Sequence, residues 1–196
     1  MKTALLLSAI LALPAAAQQP AAPVAAPAAP AAPAGPVANG AITGLKFPWN
    51  RVKDILVRAA EKMPEENYAF KPSPDVRSFG QLVGHTADAN FMFVALAFGE
   101  KPTPRDIEKT KTSKADLVAA LKESFAAGDK VFAASDSDFS VATKLFGMDT
   151  TRFGVVGLLV AHDWEHYGNM ATYMRIKGLV PPSSEPRPAA PKPADK

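Results

Sequence analysis

Hydrophobic residues recur at helical spacing in four stretches of the chain, and no stretch shows the alternation typical of strands. The first predicted helix begins near Phe47-Pro48, where proline is tolerated in a first turn, and ends at Pro64. Its apolar stripe is Val52, Ile55, Leu56, Ala59 and Met63. Four helices of compatible length predict an all-α fold, a four-helix bundle.

Two capping signals mark the starts of the second and third helices. Ser78 precedes Gln81 by three residues, and Ser113 precedes Asp116 by the same spacing, so each serine can accept from a free backbone N–H group of its first turn. The inward stripe of the second helix is Leu82, His85, Ala89, Met92 and Leu96. Gly128 weakens the case for one unbroken third helix, and the later stretch VATKLFGMD fits either a short strand or an extended loop.

The fourth helix is predicted from about Thr151 to Lys177, and it carries two of the three histidines of the chain. Gly178 suits the left-handed residue that follows many helices, and Pro181-Pro182 prevent continuation. The inward stripe is Val155, Leu159, His162, His166, Asn169 and Tyr173.

The two ends of the chain differ in composition from the part predicted to fold. Residues 1–17 indicate an export signal: a basic start, an apolar segment too short to span a bilayer comfortably, and a small-residue cleavage site. The Ala/Pro-rich segment 18–44 and the Pro-rich tail 183–196 are expected to be disordered. The bundle is assigned to 45–182. We expect a periplasmic or secreted protein with no stable membrane span after cleavage, and a short uncleaved anchor is the alternative.

Composition argues against several classes of function. The 196 residues carry a formal charge of only +3 and no basic run, so nucleic acid is not expected as a partner. The chain has no cysteine, which removes disulfides, thiolate ligands and cysteine nucleophiles. Any bound metal must therefore be held by nitrogen and oxygen atoms.

The three histidines occupy inward positions where leucine would be the usual residue. His162 and His166 lie four residues apart on one face of the fourth helix, and His85 lies on the inward stripe of the second. Such a pair alone is a weak motif, because buried histidines are often hydrogen-bonded to a carbonyl or a carboxylate. The third histidine favours a shared divalent metal, since one ion takes up all three lone pairs. We expect the ring nitrogens to lie within about 6 Å of one another.

A three-histidine site with an open position is typical of catalytic metal centres. Imidazole ligands suit zinc, nickel, copper or iron, and the choice among these metals stays open. Asp88, Asp163 and Glu165 lie near the histidines in sequence and could orient a ring or act as a base. A solvated helix face is the favoured interpretation, because all three lie off the inward stripes. Since imidazole must be neutral to bind metal, release is expected below about pH 6.

The stretch SFGQLVGHTADANF and the stretch HDWEHYGNMATYMRIKGLVPP together resemble the DinB/YfiT-like superfamily. The resemblance spans roughly 47–182 and implies a four-helix bundle in which His85, His162 and His166 are ligands of a divalent metal ion. Asn169 departs from the glutamine that many members carry. Known members include thiol-dependent transferases and isomerases, and others are described as metal-dependent hydrolases.

These observations lead to one main hypothesis and two alternatives. The main hypothesis is an exported metal-dependent hydrolase that acts on an unknown small substrate. The alternatives are a metal- or ligand-binding module without turnover and a thiol-dependent transferase. Export weakens the transferase reading, because the thiol cofactors of the transferases are cytosolic. A small-molecule substrate or ligand is expected as the partner, and a homodimer is one assembly left open.

Overall fold

The computed structural model describes residues 40–186, and helices dominate this region. The helices are α1 (Gly40–Lys62), α2 (Phe79–Phe98), α3 (Ile107–Thr110), α4 (Lys114–Asp129), α5 (Asp136–Phe139) and α6 (Arg152–Ile176). The long helices α1, α2, α4 and α6 form a bundle in which α2 packs against α4 and α6, and α1 packs against the same two helices. The all-α bundle predicted from the sequence is confirmed.

Short elements connect the long helices. Three 3₁₀ turns lie at Glu65–Asn67, Val131–Ala133 and Pro182–Ser184. An antiparallel hairpin of β1 (Ala142–Leu145) and β2 (Met148–Thr151) precedes α6. The stretch VATKLFGMD is therefore a strand, a two-residue turn and the start of a second strand, which settles the choice between strand and loop.

Both predicted caps are present, and each marks the start of a helix. Ser78 Oγ accepts the Gln81 N–H at 3.2 Å, and Gln81 Oε1 accepts the Ser78 N–H at 2.9 Å. Ser113 Oγ accepts the Asp116 N–H at 3.1 Å. Because the partners are three residues apart, the local sequence is enough to place the starts of α2 and α4.

The predicted start of the first helix near Phe47-Pro48 is wrong, because α1 begins at Gly40 and includes 40–44 of the segment expected to be disordered. The residue that caps the N-terminus of α1 lies in α5. The Asp136 carboxylate accepts the N–H groups of Ala41 at 3.1 Å and of Ile42 at 2.9 Å. A cap that lies 94 positions away in sequence leaves no local signal.

Trp49 of α1 is buried in the bundle core and packs against other aromatic side chains. Its ring stacks on Phe132 with centroids 4.9 Å apart and meets the Phe125 ring edge-on at 5.2 Å. Its Nε1 donates to Asp129 at 2.8 Å. α4 continues through Gly128, where a Cβ atom would come within 2.5 Å of the Trp49 ring. Packing against Trp49 thus requires glycine here, although glycine lowers helix propensity.

The first residues of the predicted disordered tail pack against α1. Glu185 accepts a hydrogen bond from Lys62 at 2.6 Å and pairs with Arg58. These ion pairs hold 183–186 in place, so the disorder predicted for 183–196 is wrong for these four residues. The predicted export signal 1–17, the linker segment 18–39 and the tail segment 187–196 lie outside the described residues. Within 40–186, no helix combines the length and apolar character needed to cross a membrane.

Candidate metal centre

The three histidines predicted to act together form one cluster between α2 and α6. The His162 and His166 ring centroids lie 4.3 Å apart, and the His85 ring lies 4.8 Å from His166 and 5.2 Å from His162. Each ring offers one nitrogen to a group whose members all lie within 4.8 Å of one another. This separation is inside the 6 Å limit expected from the sequence.

The geometry of the cluster fits a single metal ion. The Nε2 atoms of His162 and His166 are 3.0 Å apart. Two nitrogens bound tetrahedrally to one ion at ~2.1 Å lie about 3.4 Å apart, so the widest separation needs to close by at most about 1.4 Å. The three histidines are therefore positioned to hold a metal ion, and their role as ligands stays a prediction.

Ordinary core packing does not explain the cluster. The Nδ1 atoms of His162 and His166 are buried and have no hydrogen-bond partner among residues 40–186. A histidine that serves only the core usually donates to a carbonyl or a carboxylate. Here the three rings contact one another instead, as ligands that share an ion would, but the remote nitrogens of His162 and His166 lack the kind of partner that Glu108 provides for His85.

Burial keeps all three rings neutral. Desolvation is the main cause that lowers the pKa of His162 to about 3, with further contributions from His166 and His85. Desolvation likewise lowers the pKa of His166 to about 4, and it lowers the pKa of His85 despite the opposing effect of Glu108. Neutral imidazole is the form that binds metal, so these nitrogens have free lone pairs at neutral pH.

A carboxylate that sequence reasoning missed orients His85. Glu108 of α3 places Oε2 3.2 Å from His85 Nδ1, and its Oε1 accepts from Arg77 Nε at 2.9 Å. The Arg77 carbonyl in turn accepts from the Tyr173 hydroxyl at 3.0 Å. A carboxylate on the remote ring nitrogen is the usual partner of a metal-binding histidine. Glu108 lies 23 positions from His85 and in another helix, so spacing could not have identified it.

Two residues of α2 bring Glu108 to the cluster. Asp88 accepts the N–H groups of Ile107 at 3.0 Å and Glu108 at 2.9 Å, and so fixes the first turn of α3. The solvated face predicted for Asp88 is therefore wrong. Gly84 allows the close approach of α3, because a Cβ atom there would lie 2.7 Å from Glu108 Cα.

Two cavities of different character flank the cluster. The first, here called the apolar cavity, has a volume of about 550 Å³ and includes His85 and His162 in its wall. Its main apolar lining residues are Ala89, Met92, Phe93, Phe146 and Leu158. The second, of about 520 Å³, is polar and lies beside His166, with Arg77, Glu165, Asn169 and Tyr173 in its wall. Asn169 is exposed, so its predicted inward position is wrong, and Glu165 is exposed as expected.

The histidine cluster lies in a region that matches a known protein family. The sequence model of the DinB superfamily matches residues 49–170, a region that contains all three histidines. The chain belongs to the DinB superfamily.

Solved structures of DinB-like proteins share the fold. One from Bacillus cereus is 18% identical to this chain with a TM-score of 0.63, and the match covers 72% of this chain and 95% of that protein. Another from Bacillus subtilis is 20% identical with a TM-score of 0.57, and covers 70% of this chain and 91% of that protein. At these identities the likeness establishes the DinB fold alone. A search of curated proteins found no match.

The burial of the Asp163 carboxyl group is unfavourable for this DinB-superfamily protein. It lies between the two histidines of α6 in sequence, yet its side chain is fully buried and both carboxylate oxygens lack a hydrogen-bond partner within 40–186. The solvated face predicted for it is wrong. Desolvation raises the pKa of Asp163 well above its usual range. The fold therefore bears a destabilising carboxylate in its core.

Asp163→Asn is expected to raise the melting temperature of the metal-free protein by several degrees at pH 7. A folded-state pKa above the unfolded value of about 3.9 means that stability is lost as the pH rises through the folded-state pKa. The gain over wild type should narrow as the pH falls below about 4, because the wild-type carboxyl then becomes neutral in the unfolded state as well. Thermal unfolding followed by circular dichroism at several pH values measures this difference.

The exposed Asp75→Asn is the matched control and should leave the melting temperature within about one degree of wild type, as a surface substitution usually does. A destabilised Asp163→Asn at pH 7 would show that the carboxylate has a stabilising partner instead.

Proposed function

We propose that this protein is an exported metal-dependent hydrolase that binds a divalent ion through His85, His162 and His166 and acts on a small substrate. The observation that carries the proposal is the meeting of three neutral imidazoles beside a cavity of about 550 Å³. Pockets of this size accommodate small organic molecules. Membership of the DinB superfamily supports the same hypothesis of a metal-dependent hydrolase.

The residues around the cluster have different roles in this proposal. The three imidazoles would hold the ion, and Glu108 would keep His85 in one orientation through its contact with Nδ1. The apolar walls would restrict bulk water around the substrate. A bound divalent metal would supply Lewis acidity and lower the pKa of a bound water.

The proposed location rests on residues 1–17, whose basic start, apolar segment and small residues have the pattern of an export signal. Export also favours hydrolysis over thiol transfer, because water is available outside the cytoplasm whereas cytosolic thiol cofactors are not.

The double variant His162→Ala and His166→Ala is expected to lose the stoichiometric metal that the wild-type protein carries. Removing two of three ligands leaves one imidazole, which cannot hold an ion alone. Elemental analysis of the purified proteins measures the metal content. Thr172→Ala, at an exposed position on the same helix that lines neither cavity, is the control and should keep its metal.

A panel of ester, amide and thiol-conjugate substrates then tests turnover. Hydrolysis by wild type that disappears in the double variant supports the proposal. Stoichiometric metal without any turnover would point to a binding module, and product formation only with an added thiol would point to a transferase. A wild-type protein that takes up no divalent metal would refute the proposal.

Glu108→Gln is expected to weaken metal binding by about 10- to 100-fold, because an amide is a poorer acceptor for the remote N–H group of His85. Competition with a chelator of known affinity measures the change. Glu100→Gln is the control, because this exposed side chain makes no hydrogen bond or ion pair in the described part of the chain. Equal affinities in the two variants would remove Glu108 from the site.

The metal is expected to stay bound at pH 5 and to leave only as the pH approaches the lowered pKa values of the ring nitrogens. Protons compete for the ring nitrogens only as the pH approaches the pKa values of about 3 for His162 and about 4 for His166. This places release below the pH of about 6 that unperturbed imidazoles would give.

Metal content after dialysis at each pH measures the release, and circular dichroism checks the fold in parallel. That check is needed because a lowered folded-state pKa makes the metal-free fold lose stability as the pH falls below about 6.5. Loss of metal from folded protein at pH 6 would contradict the expectation.

A further inference from the structure

The apolar cavity has a feature that the proposed hydrolysis does not explain. His85 and His162 occupy one part of its wall, and most of the remaining exposed surface is apolar, although Asp88, Arg105 and Glu108 also line it. An enzyme that bound only a small polar substrate would need no apolar space of about 550 Å³ beside its reactive groups. This space favours a ligand with a sizeable apolar portion.

The charged groups at the rim are already paired. Arg105 lies over the Phe91 ring at 3.6 Å and pairs with Glu123 at 3.3 Å. Lys109 pairs with Asp106 at 2.8 Å. Because these cations have partners on the protein, the walls of the apolar cavity offer mainly hydrophobic contact.

The hairpin tip supplies an aromatic wall at an unusual backbone position. Phe146 and Gly147 are the two central residues of the turn, with φ values of 50° and 83°. Turns with two positive φ values favour Asn-Gly, and a bulky residue there is strained. Phe146 is also 68% exposed, so burial in the fold does not account for it. Its ring lines the apolar cavity, which gives a strained and exposed phenylalanine a reason in ligand contact.

We propose that the apolar cavity binds the hydrocarbon chain of an amphipathic small molecule whose polar head lies at His85 and His162, and that Phe146 is a residue that determines specificity for this chain. The substrate class is then an ester or amide of a medium-length acyl group. The placement of the head rests on the proposed function, whereas the placement of the chain rests on the cavity alone.

A series of straight-chain hydroxamic acids, from acetyl to decanoyl, tests the proposal by titration calorimetry. The head is constant and binds metal, while the chain grows by methylene groups. In metal-free protein the affinity should rise about two- to fourfold per methylene until the cavity is full, with one site per chain. An affinity independent of chain length, or binding at many sites, would overturn the proposal.

Phe146→Ser should weaken binding of the octanoyl compound by about three- to tenfold and leave the acetyl compound unchanged. Met148→Ser is the matched control, because Met148 lies on the same hairpin, is 65% exposed and is not part of the cavity wall. Equal losses in the two variants would assign the effect to the hairpin as a whole and refute a specific role for Phe146.

Leu158→Asn tests from α6 whether the hydrocarbon chain binds in the apolar cavity. Leu158 is 36% exposed and lines this cavity. The substitution should also flatten the dependence on chain length while the melting temperature stays close to that of wild type. Normal chain-length dependence in both Phe146→Ser and Leu158→Asn would refute the assignment of the chain to this cavity.

Repeating the series after loading with zinc separates this proposal from the proposed function. Zinc should strengthen every member by a similar factor, because the head is the same throughout. Chain-length dependence without a zinc increment would support the cavity assignment and refute the metal site. A zinc increment without chain-length dependence would do the reverse.

Discussion

The packing of α2 against α6 is the interaction on which the site depends. It brings His85 to the pair on α6, where His166 is buried and the other two rings are partly buried. Elsewhere on α2, Gly84 allows the close approach of α3, because it has no side chain to keep Glu108 at a distance. The arrangement of the histidines is therefore a property of backbone packing as much as of the histidines themselves.

Desolvation acts with opposite sign on neighbouring residues of α6. It lowers the pKa of His162 and His166, and it raises the pKa of Asp163. In each case burial favours the uncharged form. For the histidines this leaves lone pairs available to a cation. For Asp163 it only costs stability, since neither oxygen has a hydrogen-bond partner in the described residues. The structure gives no compensating contact for Asp163.

The sequence was informative where the interacting residues are close together along the chain. The capping residues Ser78 and Ser113 act within one helical turn, and the spacing of His162 and His166 places both on one face. The convergence of His85 with that pair could be predicted because inward stripes of a bundle must meet. The long helices and the clustering of the three histidines could therefore be predicted from the sequence.

What the sequence could not show depends on distant partners. The start of α1 is capped by Asp136, and His85 is oriented by Glu108, and neither residue is marked by periodicity or spacing. The burial of Asp163 was missed because this residue lies off the stripe of α6 that was predicted to face inward. Such errors are expected wherever tertiary contact overrides the local pattern.

The ion pairs of Glu185 with Arg58 and Lys62 also determine where the chain leaves the bundle. α1 begins at Gly40, and the described C-terminal residues are fastened near its other end. At 1.5 Å per residue, Gly40 and Arg58 are separated by about 27 Å along the helix axis. Gly40 and Glu185 therefore lie near opposite ends of α1, so a partner bound at one of these two positions would not cover the other.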